Sequence, residues 1–175
     1  MLRPAILYSD QLERLYINAM YDVSNKYFMM ENGTNFYEPL RNNKYGREFV
    51  SVNGNRVIGF IKYSIDVDCN LALALQIISF DKGKLLFVED VLEAIHKIFT
   101  EYNMNSIIFT CIPDNPVYEN YIKFSKYCNG KASGYYKDYC KLMDGELYDK
   151  VVFQIMREDY YKSKMYNRME KRLKE

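Results

Sequence analysis

The sequence predicts an α/β domain, and three stretches carry that prediction. Leu71–Phe80 is an almost wholly apolar run, with Leu71, Leu73, Leu75 and Ile77 on one side and Ala72, Ala74, Ile78 and Phe80 on the other. A strand apolar on both sides belongs in the middle of a covered sheet. Past Asp81-Lys82-Gly83-Lys84 the period changes: Val88, Val91, Leu92, Ile95, Ile98, Phe99 and Tyr102 fall at helical spacing, opposite Glu89, Asp90, Glu93, Lys97 and Glu101. Elsewhere, Asn53-Gly54 between two strand-like runs is a strong hairpin signal. A strand entering a helix through a basic turn leaves unpaired N–H groups and a positive dipole end at the turn, where phosphates are commonly seated. Such units are frequent, and alone this one assigns no ligand.

The other elements follow in order. Leu2–Tyr8 reads as a short opening strand that Pro4 keeps to an edge. Asp10 and Glu13 form a capping box ahead of the helical stripe Leu12, Leu15, Tyr16, Ala19, Met20 and Val23. Lys26–Met30 adds a turn or two of helix, and Asn32–Gly46 is polar and irregular, a loop able to line a cleft. Glu48–Val52 and Arg56–Asp66 are the hairpin strands. Ser106–Ile112 is a β-branched strand, broken by Pro113-Asp114-Asn115-Pro116; Val117–Tyr127 is a helix closed by Asn129-Gly130. Two last strands, Gly134–Leu142 and Lys150–Arg157, flank a turn at Asp144-Gly145. From Glu158 a narrow stripe of Tyr161, Met165, Met169 and Leu173 runs among Lys162, Lys164, Arg168, Lys171, Arg172 and Lys174, a helix for its own domain or for a second copy.

The totals exclude several classes. A chain of 175 residues fits one domain, and 49% hydrophobic with 27% charged residues is an ordinary globular balance. A net charge of +1 gives no general pull toward nucleic acid or membrane, and the basic tail is too small a footprint to supply one. The 18 tyrosines, beside abundant Asn, Lys and Ile, fit coding bias in an AT-rich genome. Cys69, Cys111, Cys128 and Cys140 lack paired spacing and His96 is the sole histidine, which argues against a zinc site. His96, on the flank of an apolar helix face, suits a half-buried structural role. The Asp66–Asn70 run opens like a calcium loop, but Leu71 and Ile77 stand at its sixth and twelfth positions, so no metal is expected. No signal-peptide core, membrane span or GxxxxGK[ST] occurs, and a reduced, cytoplasmic setting is the expectation.

The last quarter is more specific. Gly134-Tyr135-Tyr136-Lys137-Asp138, Asp144-Gly145-Glu146-Leu147-Tyr148-Asp149 and Phe153-Gln154-Ile155-Met156-Arg157-Glu158-Asp159-Tyr160 resemble the ending of one branch of the GNAT acyltransferases. That branch holds the ribosomal-protein and spermidine N-acetyltransferases. Asp114-Asn115 before Tyr121-Ile122-Lys123-Phe124 is similar to the family's Asn…Tyr-x-x-Leu helix, Leu2-Arg3-Pro4 resembles its opening, and the order of elements matches throughout. The resemblance implies a single GNAT domain over 1–160, with a mixed, mostly antiparallel sheet flanked by helices, and a basic amphipathic helix over 161–175. Where the family's cofactor turn reads Gln/Arg-x-x-Gly-x-Gly/Ala, this chain has Lys82, Gly83 and Lys84, then Leu85 and Phe87 at the two small-residue positions. Small residues there let backbone N–H groups close on a pyrophosphate.

What the resemblance implies for chemistry is transfer of an acetyl group from acetyl-CoA to an amine, without a metal. The central strand would splay from its neighbour and hold the thioester arm through main-chain groups of Ile77, Ile78 and Phe80, with Lys82, Gly83 and Lys84 at the phosphates. Asn115 would hold the cofactor or cap its helix. Tyr121 would protonate the departing thiolate, although a packed aromatic explains it as well. Asp66, with Asp68 beside it, is the candidate base, because Gln76 stands where relatives carry glutamate. Acceptors in view are a protein N-terminus, a polyamine or another small amine, with Glu31, Glu38, Asp66 and Asp68 as possible partners of a cationic one. The rival reading is a catalytically silent GNAT-shaped binding protein that has lost cofactor affinity. The catalytic reading falls if Leu85 and Phe87 fill the gap beside the central strand. A homodimer through the tail helix is the remaining expectation.

Overall fold

The computed structural model describes residues 1–28 and 45–174. The expected loop over Asn32–Gly46, up to residue 44, and the acidic candidates Glu31 and Glu38 lie outside them. The strands are β1 (Leu2–Pro4), β2 (Gly46–Asn53), β3 (Arg56–Asp66), β4 (Leu71–Ser79), β5 (Ser106–Cys111), β6 (Lys131–Lys141) and β7 (Leu147–Met156). The helices are α1 (Ser9–Tyr21), α2 (Leu85–Thr100), α3 (Tyr118–Tyr127), α4 (Arg157–Tyr161) and α5 (Lys164–Arg172). Among the described residues one seven-stranded sheet runs β1-β2-β3-β4-β5-β7-β6, and only the β4–β5 pairing is parallel.

Two cores form on the two faces of this sheet. On one, α2 and α3 cover Ile61, Tyr63, Ile107, Phe109 and Phe153; on the other, α1 buries Leu12 and Met20 against Val50, Val57, Phe60 and Ile78. Three local expectations change. The opening strand stops at Pro4 and Ala5–Tyr8 winds into a 3-10 turn, because the proline ends the ladder after three residues. The capping box at Asp10 does not form: α1 starts at Ser9 without a side-chain cap, and Asp10 sits in its first turn near the positive dipole end. Val23, placed in the α1 stripe by spacing, is exposed in a 3-10 turn over Val23–Phe28.

The tail is two helices. Ser163 caps α5 by accepting from the Tyr166 N–H at 3.2 Å, which splits the run. Met165 and Met169 are fully buried on the chain's own α2 side, so these two members of the stripe are already covered within one molecule.

Candidate functional site

β4 is the middle strand of the sheet, yet from Leu73 to Ile77 its residues are only half-buried. The reason is the departure of β5. The two strands pair at Leu71↔Ser106 and Ala72↔Ile107 only, after which β5 follows β7 through six consecutive pairs. A bulge in β4 marks the parting: its register against β3 shifts between Leu73 and Gln76, and Ala74 takes a positive φ of 55°. A bulge of this kind bends and twists the strand that carries it. The apolar strand is thus the wall of a gap as well as the middle of a sheet.

Main-chain groups alternate in direction along an antiparallel strand. The Phe80 N–H donates to the Ile58 oxygen at 2.9 Å, so it is spent on β3 and is unavailable to a ligand, as the alternation also makes Ile78. This corrects the expectation for both. The same alternation turns the N–H and C=O of Ile77, and of Ser79, toward the gap.

Beyond β4 the chain turns at Gly83, with φ of +77° and open space where a Cβ would stand. Lys82, Gly83, Lys84 and Leu85 are all exposed, and α2 begins with no side-chain cap. The two bulky residues take separate paths. Phe87 packs down on β3, so close that a Cβ on Gly59 would lie 2.1 Å from its ring, and Leu85 is 72% exposed. Gly59 leaves room for the Phe87 ring against β3. Neither side chain fills the gap. Of the two turn lysines, Lys84 is 3.7 Å from Asp81, which Arg56 also approaches at 3.8 Å.

Across the gap, Tyr121 packs half-buried on Phe109 of β5, with ring centroids 6.0 Å apart. Burial, then the neighbouring Cys111, pushes its hydroxyl pKa up, which keeps the proton on the oxygen at neutral pH. Cys111 itself is a buried thiol pushed up to about 12 by burial. Asn115 folds back on its own turn: its Oδ1 accepts from the Val117 N–H at 3.1 Å, and its carbonyl from Tyr118 at 2.8 Å. That is an Asx turn ahead of α3, whose N-cap, Val117, has no side-chain cap hydrogen bond.

Asp66 stands elsewhere. It pairs with Leu71, whereas the Gly83 turn follows Ser79 at the other end of β4, roughly 25 Å away along the strand. Its Oδ1 accepts from the Cys69 N–H at 2.9 Å, and that bond lowers its pKa. The geometry makes it a turn residue, and the exposed Asp68 lies in the same turn. A row that sequence reading missed crosses the α1 face: Glu48, Lys62 and Gln76 sit side by side on β2, β3 and β4. Glu48 Oε1 is 3.3 Å from Lys62 Nζ, and Gln76 Nε2 donates to Tyr16 Oη at 3.4 Å. On the same face Lys26, in the 3-10 turn after α1, bridges to the β6–β7 turn, 2.5 Å from Asp144 and 2.6 Å from Tyr148 Oη. That pairing holds the Asp144 carboxyl down at about 2. Among the described residues no group of His, Cys, Asp and Glu is arranged to hold a metal, and no helix is long and apolar enough to cross a membrane.

No protein-family model and no curated protein sequence matches the chain. Solved structures do. A chimera of spermidine N-acetyltransferase SpeG from Vibrio cholerae with hSSAT superposes with a TM-score of 0.70 at 17% identity, over 93% of this chain and 98% of that one. Spermidine N-acetyltransferase from Vibrio cholerae in complex with CoA and spermine gives 0.64 at 17% identity, over 91% and 96%. A single-residue variant of the SpeG enzyme gives 0.70 at 17%, over 91% and 95%. The chain has the GNAT fold: α/β, with a mixed, mostly antiparallel sheet flanked by helices and a C-terminal helical extension.

Proposed function

We propose that this protein transfers an acetyl group from acetyl-CoA to a primary amine. The observation that carries the proposal is the parting of β4 and β5 beside an uncapped, exposed start of α2, with Phe87 turned down onto Gly59 and Leu85 turned out. Acetyl-CoA would supply a thioester and an anionic tail. The residues present fit both ends: amides at the start of α2 and the Lys82 ammonium suit the phosphates, and the Ile77 main chain faces the arm. Ile77 would align the arm as a strand aligns a neighbour, holding the carbonyl where an amine can reach it. Tyr121, whose hydroxyl carries its proton at neutral pH, would give that proton to the leaving sulfur.

The described residues give the amine side less. Glu48 is the carboxylate on the row that includes Gln76, and it is paired with Lys62. The spermidine enzymes with this fold motivate a polyamine as the first acceptor to try, followed by a peptide N-terminus.

Calorimetric titration with acetyl-CoA tests the proposal. Binding in the micromolar range is expected, weakened roughly tenfold by Lys82→Ala and less by Lys84→Ala, whose ammonium is shared with Asp81. A folded sample giving no heat at millimolar ligand would leave a silent GNAT-shaped binding protein as the reading.

A further inference from the structure

The C-terminal helix ends beside Glu89, about one turn into α2. α5 runs antiparallel to α2: Glu170 lies 3.7 Å from His96 well along α2, and Arg172 donates to the Glu89 main-chain oxygen at 3.1 Å near its start. Two guanidinium groups converge there on one carboxylate. Arg168 bonds Glu89 Oε1, and Arg172 stands 3.3 Å from Glu89 Oε2. Glu89 is four residues beyond Leu85, hence on the same flank of α2 and roughly 6 Å further along its axis. Asp90, the next residue, faces Ser51 of β2 on a different flank and takes no part.

Unpaired, the Glu89 charge would oppose any polyphosphate seated at the start of α2. Paired with two arginines, the cluster carries a formal charge of −1 + 2 = +1. Both arginines keep part of their surface in solvent, so that surplus is open to an anion. We propose that α5 is a charge brace for the cofactor turn: Arg168 and Arg172 are positioning residues that cancel Glu89 and leave the mouth of α2 positive. In this way the tail supplies cationic character to a turn with bulky residues at the two small-residue positions. The inference rests on the acetyl-CoA reading above.

CoA affinity at low salt tests it across four proteins: wild type, Glu89→Gln, Arg168→Gln/Arg172→Gln, and the triple variant. Their local formal charges step through +2 for Glu89→Gln, +1 for wild type, 0 for the triple and −1 for the double. Kd should follow that ladder, weakening roughly threefold per step and flattening in about 0.5 M salt. A brace that acted only by holding the fold would place the triple variant with the double or below it, and that result overturns the proposal. So does a Glu89→Gln protein that binds CoA no tighter than wild type; this variant keeps both arginines and decides the matter if the double variant does not fold. Wild type without heat removes the acetyl-CoA reading itself, whereas wild-type binding with a flat series removes the brace alone.

Discussion

At its N-terminal end α2 leaves Lys82, Gly83, Lys84 and Leu85 open to solvent; in its C-terminal half Ile95, His96, Ile98 and Phe99 are buried. One helix with one apolar period serves two purposes. The difference lies in what the chain lays on each end. Over the far half come α4 and α5: Tyr160 stacks on Phe99 with centroids 4.4 Å apart and bonds His96 Nδ1 at 2.8 Å, and Tyr166 stacks on the His96 ring. At the near end α5 delivers charge and stops. A helix start that is to receive a ligand keeps its amides uncovered, and its stability must come from the other end.

The largest break in that comparison is Tyr160→Ala. It removes a fully buried ring, its stack on Phe99 and the partner of His96, and should cost about 3–5 kcal/mol in denaturant unfolding. A loss under about 1 kcal/mol would mean that the tail does not hold α2 down. Gly59→Ala acts at the near end with a smaller effect. The added methyl would lie 2.1 Å from the Phe87 ring, so the ring must move, at about 1–3 kcal/mol. Because the displaced ring has to rise toward the turn, CoA affinity should fall along with stability. Unchanged binding would separate the Phe87 seat from the cofactor turn.

Legibility in the sequence follows the same division. The fold came through because strands, turns and helix stripes are local patterns: Asn53 pairs with Arg56 across Gly54, and Gly145 turns β6 into β7 at positive φ, as their residue types require. The candidate site came through less well. Asp66 drew attention as a carboxylate near the central strand, but which end of β4 it occupies is a matter of pairing. Glu48 went unnoticed because β3 carries an extra residue at Ile58, shifting its register against β2. That slip sets Lys62 opposite Glu48 on the α1 face, where a regular hairpin would have set Ile61. The bulge at Ala74 likewise has no glycine or proline to announce it. Nor did the stripe Tyr161–Leu173 show that Ser163 would break it in two.

Acid offers a gentler break at the buried end. Burial holds the His96 pKa below its ordinary 6.5. Glu170 on α5 and Glu101 pull it upward and Lys97 pushes it down, while Tyr160 and Tyr166 enclose the ring. On acidification the unfolded chain therefore takes up the proton first. Stability from this group is complete above about pH 6.5, declines as the pH falls toward the lower folded value, and levels off below it, by at most about 1.4 kcal/mol per pH unit. Urea midpoints across that window should show the decline in wild type and lose it in His96→Gln. A midpoint that rises on acidification would give the imidazolium a favourable site and reverse the assignment.

The smallest expected effect is the one that most directly separates the two ends. Leu85→Ala removes an isobutyl group that is 72% exposed from the first position of α2, where alanine is at least as good a helix former. Its stability change should stay within about 0.5 kcal/mol, against several for Tyr160→Ala, which acts on the other end of α2 from α4. Acetyl-CoA affinity should hold or improve, by roughly threefold at most, since a smaller side chain beside the first amides can only widen the approach. Weaker binding would instead show Leu85 touching the ligand as an apolar surface, and the turn would then work by contact as well as by charge.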